Sequence, residues 1–364
     1  MENISKSVYI HIPFCKNICH YCDFCKMYYQ TNWIDKYLEA LKKEVITNYK
    51  GELIKTIYIG GGTPSCLNLE ELKNLFLIIK LFKKSPDLEF TFECNIEDIT
   101  LDKLKLLSKN GVNRISIGIQ TFNKTHQKFI NRENSYNIVL NKINLIKKYF
   151  NNINLDLMYG FENQTLKQLE KDINLFLKLD VNHISTYSLI IEPHTKFYID
   201  KIKSIDEDLD YKMYQLINKK LLDSGFEHYE ISNYSKKNYK SKHNLTYWNN
   251  DHYYGFGLGA SGYINNIRYD NTRNLNKYLK GDYVFESHKL SLKETMENEL
   301  ILGLRKINGV NRKIFFDKYK RNIEEVFDIK KLLIDKKLIK KNNYYFINKD
   351  YLYLSNDILI NFID

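Results

Sequence analysis

Residues 7–22 read SVYIHIPFCKNICHYC, a short run of strand character followed by Cys15, Cys19 and Cys22 in a Cys-x3-Cys-x2-Cys cluster. Three thiolates this close together can ligate three irons of a cubane and leave the fourth open. Iron–sulfur clusters are usually held by four cysteines, so a set of three calls for a non-protein ligand. S-adenosylmethionine supplies one through its methionine amine and carboxylate, and an electron passed to its sulfonium yields a carbon radical. That chemistry belongs to the cofactor, and the protein's task is to hold and orient it.

A structural zinc site with Cys25, His11 or His20 as fourth ligand is the competing assignment, and the triplet alone leaves it open. Zinc sites more often use two ligand pairs separated by a loop, and no second pair follows downstream. Six cysteines in 364 residues is not a disulfide-dense composition. Four of them lie between positions 15 and 25, while Cys66 and Cys94 stand alone. This is the clustering of a cofactor site in a reducing compartment.

The length accommodates one domain of about 250 residues plus a smaller one. The longest apolar run, NLFLIIKLF at 74–82, is broken by Lys80 and falls short of the roughly 18 residues that span a bilayer. The N-terminus lacks a basic region followed by an apolar core, so no secretory signal is read and a cytoplasmic location is expected. A formal charge of +11 admits nucleic acid, an anionic membrane or an anionic ligand. Lys330, Lys331, Lys336, Lys337, Lys340 and Lys341, however, recur among acidic residues as on a solvated helix face. No nucleic acid partner is expected.

Apolar runs alternate with amphipathic stretches through the first half of the chain. Strands are expected at 7–12, 56–59, 89–93, 112–119, 153–158 and 183–191, each followed by a helix, at 33–47, 69–82, 100–111, 136–149, 166–179 and 206–224. Six successive βα units imply a parallel sheet covered on both faces, closing into a curved or partial barrel. The polar and glycine-rich signals fall toward the carboxyl ends of these strands: the cysteines, GGGTP at 60–64, Glu93, Gln120 and Asp156. In a parallel α/β barrel that end is the active-site face, so these residues should converge. Gly60, Gly61 and Gly62 let backbone approach a ligand closely. Glu93 and Asp156 suit ribose hydroxyls or an ammonium, and Gln120 and Arg132 suit hydroxyl and carboxylate groups. Taken singly, GGGTP is a tight turn and Arg132–Glu133 a surface ion pair.

In order, YIHIPFCKNICHYCDF, YIGGGTPS, FECN, GVNRISIGIQTF, NLDLMYG, HISTYSLIIEPHT, YEISNY and HNLTYW resemble the radical S-adenosylmethionine family that contains oxygen-independent coproporphyrinogen III oxidases and HemW-type heme chaperones. The resemblance runs through nearly the whole chain. It implies a partial (β/α)6 barrel over 1–225, an extension over 226–290 carrying heme- or substrate-side segments, and a small helical, winged C-terminal domain over 291–364. It implies a [4Fe-4S] cluster on Cys15, Cys19 and Cys22. It also implies S-adenosylmethionine contacts from Tyr9, Tyr21, Gly61, Gly62, Thr63, Glu93, Gln120, Arg132 and Asp156.

Two features separate the branches. The oxidase type continues the cluster motif as Cys-x-Cys, whereas here Phe24 occupies the position of that extra cysteine. The oxidase type also carries a longer segment before its cysteines, and only fourteen residues precede Cys15. Both features favour the heme-chaperone branch, as do HNLTYW and YEISNY. The chain departs from the family at Glu162 and Asn163, where Pro-Gly is usual, at Ile96, where proline is common, and in GLGASGY, which lacks a histidine many relatives carry. The expected function is therefore a chaperone that binds heme as cargo and delivers it to recipient hemoproteins. Transient membrane-surface contact and a homodimer are further expectations. His243 is the candidate heme contact, weighed against a packed residue beside Trp248. The alternatives are an oxidative decarboxylase of coproporphyrinogen III, a radical methyltransferase, and a non-catalytic zinc module.

Overall fold

The computed structural model describes residues 5–363. Six parallel strands, β1 (Ser7–Ile12), β2 (Leu53–Gly61), β3 (Lys83–Cys94), β4 (Arg114–Gln120), β5 (Asn152–Tyr159) and β6 (His183–Ser188), lie side by side in chain order. Helices Thr31–Asn48, Leu69–Ile79, Leu101–Lys109, Tyr136–Ile146, Leu166–Lys178 and Glu207–Asp223 alternate with them. The strand cores are Val, Ile, Leu and Phe buried from both sides, as at Val8, Ile57, Phe92, Ile115 and Leu155.

Local chemistry sets the helix starts. Asn68 and Glu71 form a reciprocal capping box at one, and Thr165 and Gln168 at another. Thr100 accepts the Lys103 N–H, and the helix it begins ends at Lys109, where Gly111 at φ +86° turns the chain toward β4.

Residues 226–290 extend the same sheet at both edges. Strands β7 (Glu227–Glu230) and β8 (Asn233–Ser235) add antiparallel beside β6. Beyond β1 come β9 (Tyr253–Phe256), which pairs parallel to it, and then antiparallel β10 (Ser261–Ile264), β11 (Ile267–Asn271) and β12 (Val284–Lys289). The order is thus β12-β11-β10-β9-β1-β2-β3-β4-β5-β6-β8-β7, so β1 never meets β6 and the barrel stays open. Between β8 and β9, helix Lys242–Trp248 covers the amino ends of β2 and β3. There Glu89 accepts the backbone N–H groups of Lys242 and His243.

Helix Leu292–Gly303, capped by Ser291 and Glu294, leads into a small antiparallel sheet of Val310–Asn311, Leu338–Lys341 and Tyr344–Ile347. Leu300, Phe315, Tyr345 and Phe362 belong to its own core. It joins the barrel where the Ile231 N–H donates to Arg305 O and the Ile307 N–H to Tyr229 O.

Candidate functional site: a three-cysteine cleft at the carboxyl ends of the strands

Strand β1 delivers the chain to the cysteine loop. Phe14–Cys15 pairs with Met27–Tyr28, and the Met27 N–H donates to Pro13 O at 2.7 Å, so both ends of the loop are pinned. Cys15, Cys19 and Cys22 line one cleft with Tyr21, Gly61, Gly62, Thr63, Glu93, Gln120, Arg132 and Asp156. Tyr9 and His243 are not among its lining residues. Cys25 is also turned away: it packs against Gly259, and its carbonyl oxygen is 2.7 Å from His11 Nε2.

Cys15 is buried, which pushes its thiol up to about 11 against the hydrogen bond from Thr63 Oγ1 at 3.6 Å. Each guanidinium nitrogen of Arg132 has one partner within the protein. Its Nε donates to Cys19 Sγ at 3.0 Å, Nη1 to Gly118 O at 2.5 Å and Nη2 to Asn95 Oδ1 at 3.0 Å. It therefore orients a thiol, and the second N–H on each Nη is not used in these bonds. Glu93 accepts from the Tyr58 hydroxyl at 2.6 Å and the Gly61 N–H at 3.1 Å, and burial pushes its carboxyl up to about 7. Burial likewise raises Asp156, which accepts from Asn154 Nδ2 at 2.8 Å.

The lining fits a cluster and an adenosyl cosubstrate on three counts. The donor set is three thiols, the ligand type an iron–sulfur cluster takes. Among the described residues, no three His, Cys, Asp or Glu side chains gather as around a single ion. The second count is backbone approach. A Cβ on Gly62 would lie 2.9 Å from Cys15 Sγ, and one on Gly61, at φ +115°, 2.7 Å from the His11 ring. The third is Gln120, which holds φ +70° and buries Oε1 without a protein partner. Strain and an orphaned acceptor at one cleft residue mark a position kept for a ligand donor.

Tyr9 acts at one remove. Its hydroxyl is 3.0 Å from His11 Nδ1, and His11 holds the loop through the Cys25 carbonyl. His243 lies at the other end of the strands. Its Nδ1 is 2.8 Å from Thr56 Oγ1 and its Nε2 2.8 Å from the Tyr247 hydroxyl, so both ring nitrogens are engaged. Burial lowers its pKa to about 3, and an axial role would require breaking one of these bonds and exposing a buried ring.

Asn95, Ser116 and Gly118 also line the cleft and were not singled out in the sequence, although they lie within the motifs FECN and GVNRISIGIQTF. Beneath them runs a buried polar chain. Asn154 Nδ2 reaches Ser116 and Asp156, Asn154 Oδ1 is 2.6 Å from His183 Nδ1, and His183 Nε2 is 2.8 Å from the Tyr229 hydroxyl. Because Asn154 Oδ1 only accepts, His183 carries its proton on Nδ1 and accepts from Tyr229.

A model of the radical SAM superfamily matches residues 9–176. The heme chaperone HemW of Bacillus subtilis is 43% identical over 350 residues, 92% of each chain. That of Lactococcus lactis is 40% identical over 333 residues, 88% of this chain and 87% of that one. The chain belongs to the HemW family of radical SAM proteins. A [4Fe-4S] cluster and S-adenosylmethionine are what such membership implies. In fold, this HemW-family chain superposes on the coproporphyrinogen III oxidase HemN of Escherichia coli, a radical SAM enzyme, with a TM-score of 0.87. The match covers 98% of this chain and 89% of that one at 22% identity, a likeness of fold alone. No helix among the described residues is long and apolar enough to cross a membrane.

Proposed function

We propose that the protein is a heme chaperone that takes heme as cargo and passes it to recipient hemoproteins. The observation that carries this reading is likeness over nine-tenths of the chain to proteins named heme chaperones. Phe24, 61% exposed at the cleft and standing where the oxidase type has a cysteine, supports it.

Cys15, Cys19 and Cys22 would hold the cluster. Gly61, Gly62 and Thr63 would present backbone to the methionyl end of S-adenosylmethionine, and Glu93, Gln120 and Asp156 would meet its ribose and ammonium. Tyr21 would line the adenosyl side, while Arg132 and, through His11, Tyr9 hold the cysteine loop in place. When bound, the pair supplies a carbon radical or a redox-sensitive structural prop. A cytoplasmic location, transient membrane-surface contact and pairing of two copies belong to the same reading, and the basic charge supports the membrane contact.

Anaerobic titration of the cluster-reconstituted protein with heme, followed at the Soret band, tests it. Saturation near one heme per chain without porphyrinogen turnover is expected. Vinyl porphyrinogen and carbon dioxide would replace the reading with the oxidase, and S-adenosylhomocysteine with a methylated product would replace it with the methyltransferase.

A further inference from the structure

A second cavity, of about 550 Å³, lies between β7, helix Lys242–Trp248 and the C-terminal domain. Its size falls within the range of about 300–1,000 Å³ usual for small-molecule sites. It sits toward the amino ends of the strands, away from the cysteines: β7 joins the sheet through β8, whose Ser235 pairs with His183, the first residue of β6.

The lining has a particular chemistry. Leu245, Ile307 and Phe346 give apolar walls, Lys240, Lys306 and Lys341 give three cations, and among the described residues no carboxylate lines the cavity. Lys306 is half-buried and donates to Asn249 Oδ1 at 2.6 Å, while Lys240 reaches Glu227, outside the lining, at 3.1 Å. His228 also lines the cavity. Its ring stacks on Tyr234, with centroids 4.3 Å apart and planes 11° apart, its Nε2 lies 3.4 Å from Ile231 O, a long contact that ligation would replace, and burial lowers its pKa to about 4. A neutral imidazole is the form that ligates metal.

We infer that this cavity is the cargo pocket and takes a planar, largely apolar dicarboxylate of the heme class, with lysines receiving the carboxylates and His228 facing the iron. The inference rests on the chaperone reading and adds to it a place and a set of contacts. Apolar walls suit the macrocycle, several lysines suit two separated carboxylates, and the imidazole distinguishes a metalloporphyrin from an organic anion. HNLTYW would then serve cargo by walling the cavity through Leu245, with no call on His243. The buried chain from Asp156 ends at Tyr229, which lines this cavity, so the two ends of the barrel share one hydrogen-bonded column.

The test uses the full-length, cluster-reconstituted protein, titrated anaerobically with heme and in parallel with metal-free protoporphyrin. Lys240 and Lys341 are exposed, so Lys240→Glu/Lys341→Glu should melt as the wild type does and keep its cluster absorbance. It should bind heme about tenfold more weakly or worse, as expected for losing charge-assisted contacts. His228→Gln should shift the Soret band while protoporphyrin affinity holds. If the wild type binds heme and these variants bind it with unchanged affinity and spectrum, the pocket assignment falls and the chaperone reading stands. A wild type that binds no heme removes both.

Discussion

A methyl group on Gly62 would lie 2.8 Å from the Phe14 carbonyl oxygen and 2.9 Å from Cys15 Sγ. Backbone cannot yield cheaply there, so Gly62→Ala should cost about 1–3 kcal/mol of stability, the usual range for overpacking. It should also lower cluster content on reconstitution, read as iron, sulfide and visible absorbance. Cys15→Ser, Cys19→Ser and Cys22→Ser should each prevent a stable cluster, while Cys25→Ser, turned toward Gly259, should keep it. Cluster loss in Cys25→Ser would overturn the ligand assignment. His243→Ala should leave heme spectrum and affinity unchanged yet lower the urea midpoint. It strips a partner from Thr56 and from Tyr247, a loss on the order of 1–3 kcal/mol. Glu93, Gln120 and Asp156 were legible because each closes or occupies a strand whose end faces the cleft. Ser116 and Gly118 were not, because within RISIGIQ they look like ordinary alternation. The commitment of Arg132 to Cys19 and Asn95 depends on side-chain geometry that spacing does not encode.

Single elements carry their own electrostatics. Helix Thr31–Asn48 buries Glu44, which accepts from the Tyr278 hydroxyl and Asn271 Nδ2, each at 2.6 Å, and from the Gly257 N–H at 2.8 Å. It thereby ties the first helix to the extension beyond β9. Burial raises this carboxyl from 4.5 to about 7 despite those donors. The folded state therefore holds the proton more tightly than the unfolded chain. The resulting stabilisation is complete below 4.5 and is lost as pH rises through about 7. Denaturation midpoints of wild type relative to Glu44→Gln should fall across that window and level off above it; a flat difference would contradict the raised pKa. Element positions were largely readable, since all six βα units follow from apolar runs. Ends were less so: β3 begins at Lys83, ahead of the expected 89, because Lys83 and Lys84 pair with Leu53 and Ile54 before the register shifts to Thr56 and Glu89, and these lysines carry no apolar signal. Strand β12 is exposed along its whole length, so no hydrophobic alternation announces it.

At the scale of the molecule, the pattern in residues 226–290 yields motifs rather than elements. The reason is that their strands pair far away along the chain. Ser7 of β1 lies between Thr56 of β2 and Tyr253 of β9, and nothing local in YYGF states that partnership. The fold of the first half is thus written in neighbouring residues, and its completion in contacts between chain segments far apart. That completion places β1 in the interior of a twelve-stranded sheet, and the cysteine loop hangs from it. Stripping the metal should therefore release the loop without loosening its anchor. In hydrogen–deuterium exchange the amides of Val8–Ile10 should remain among the slowest in the apoprotein, while those of residues 16–26 exchange early. Early exchange in β1 would show the cluster to be a keystone. Persistent protection would make its loss a reversible event, leaving a folded socket that iron and sulfide can refill after oxidative damage without passage through the unfolded chain.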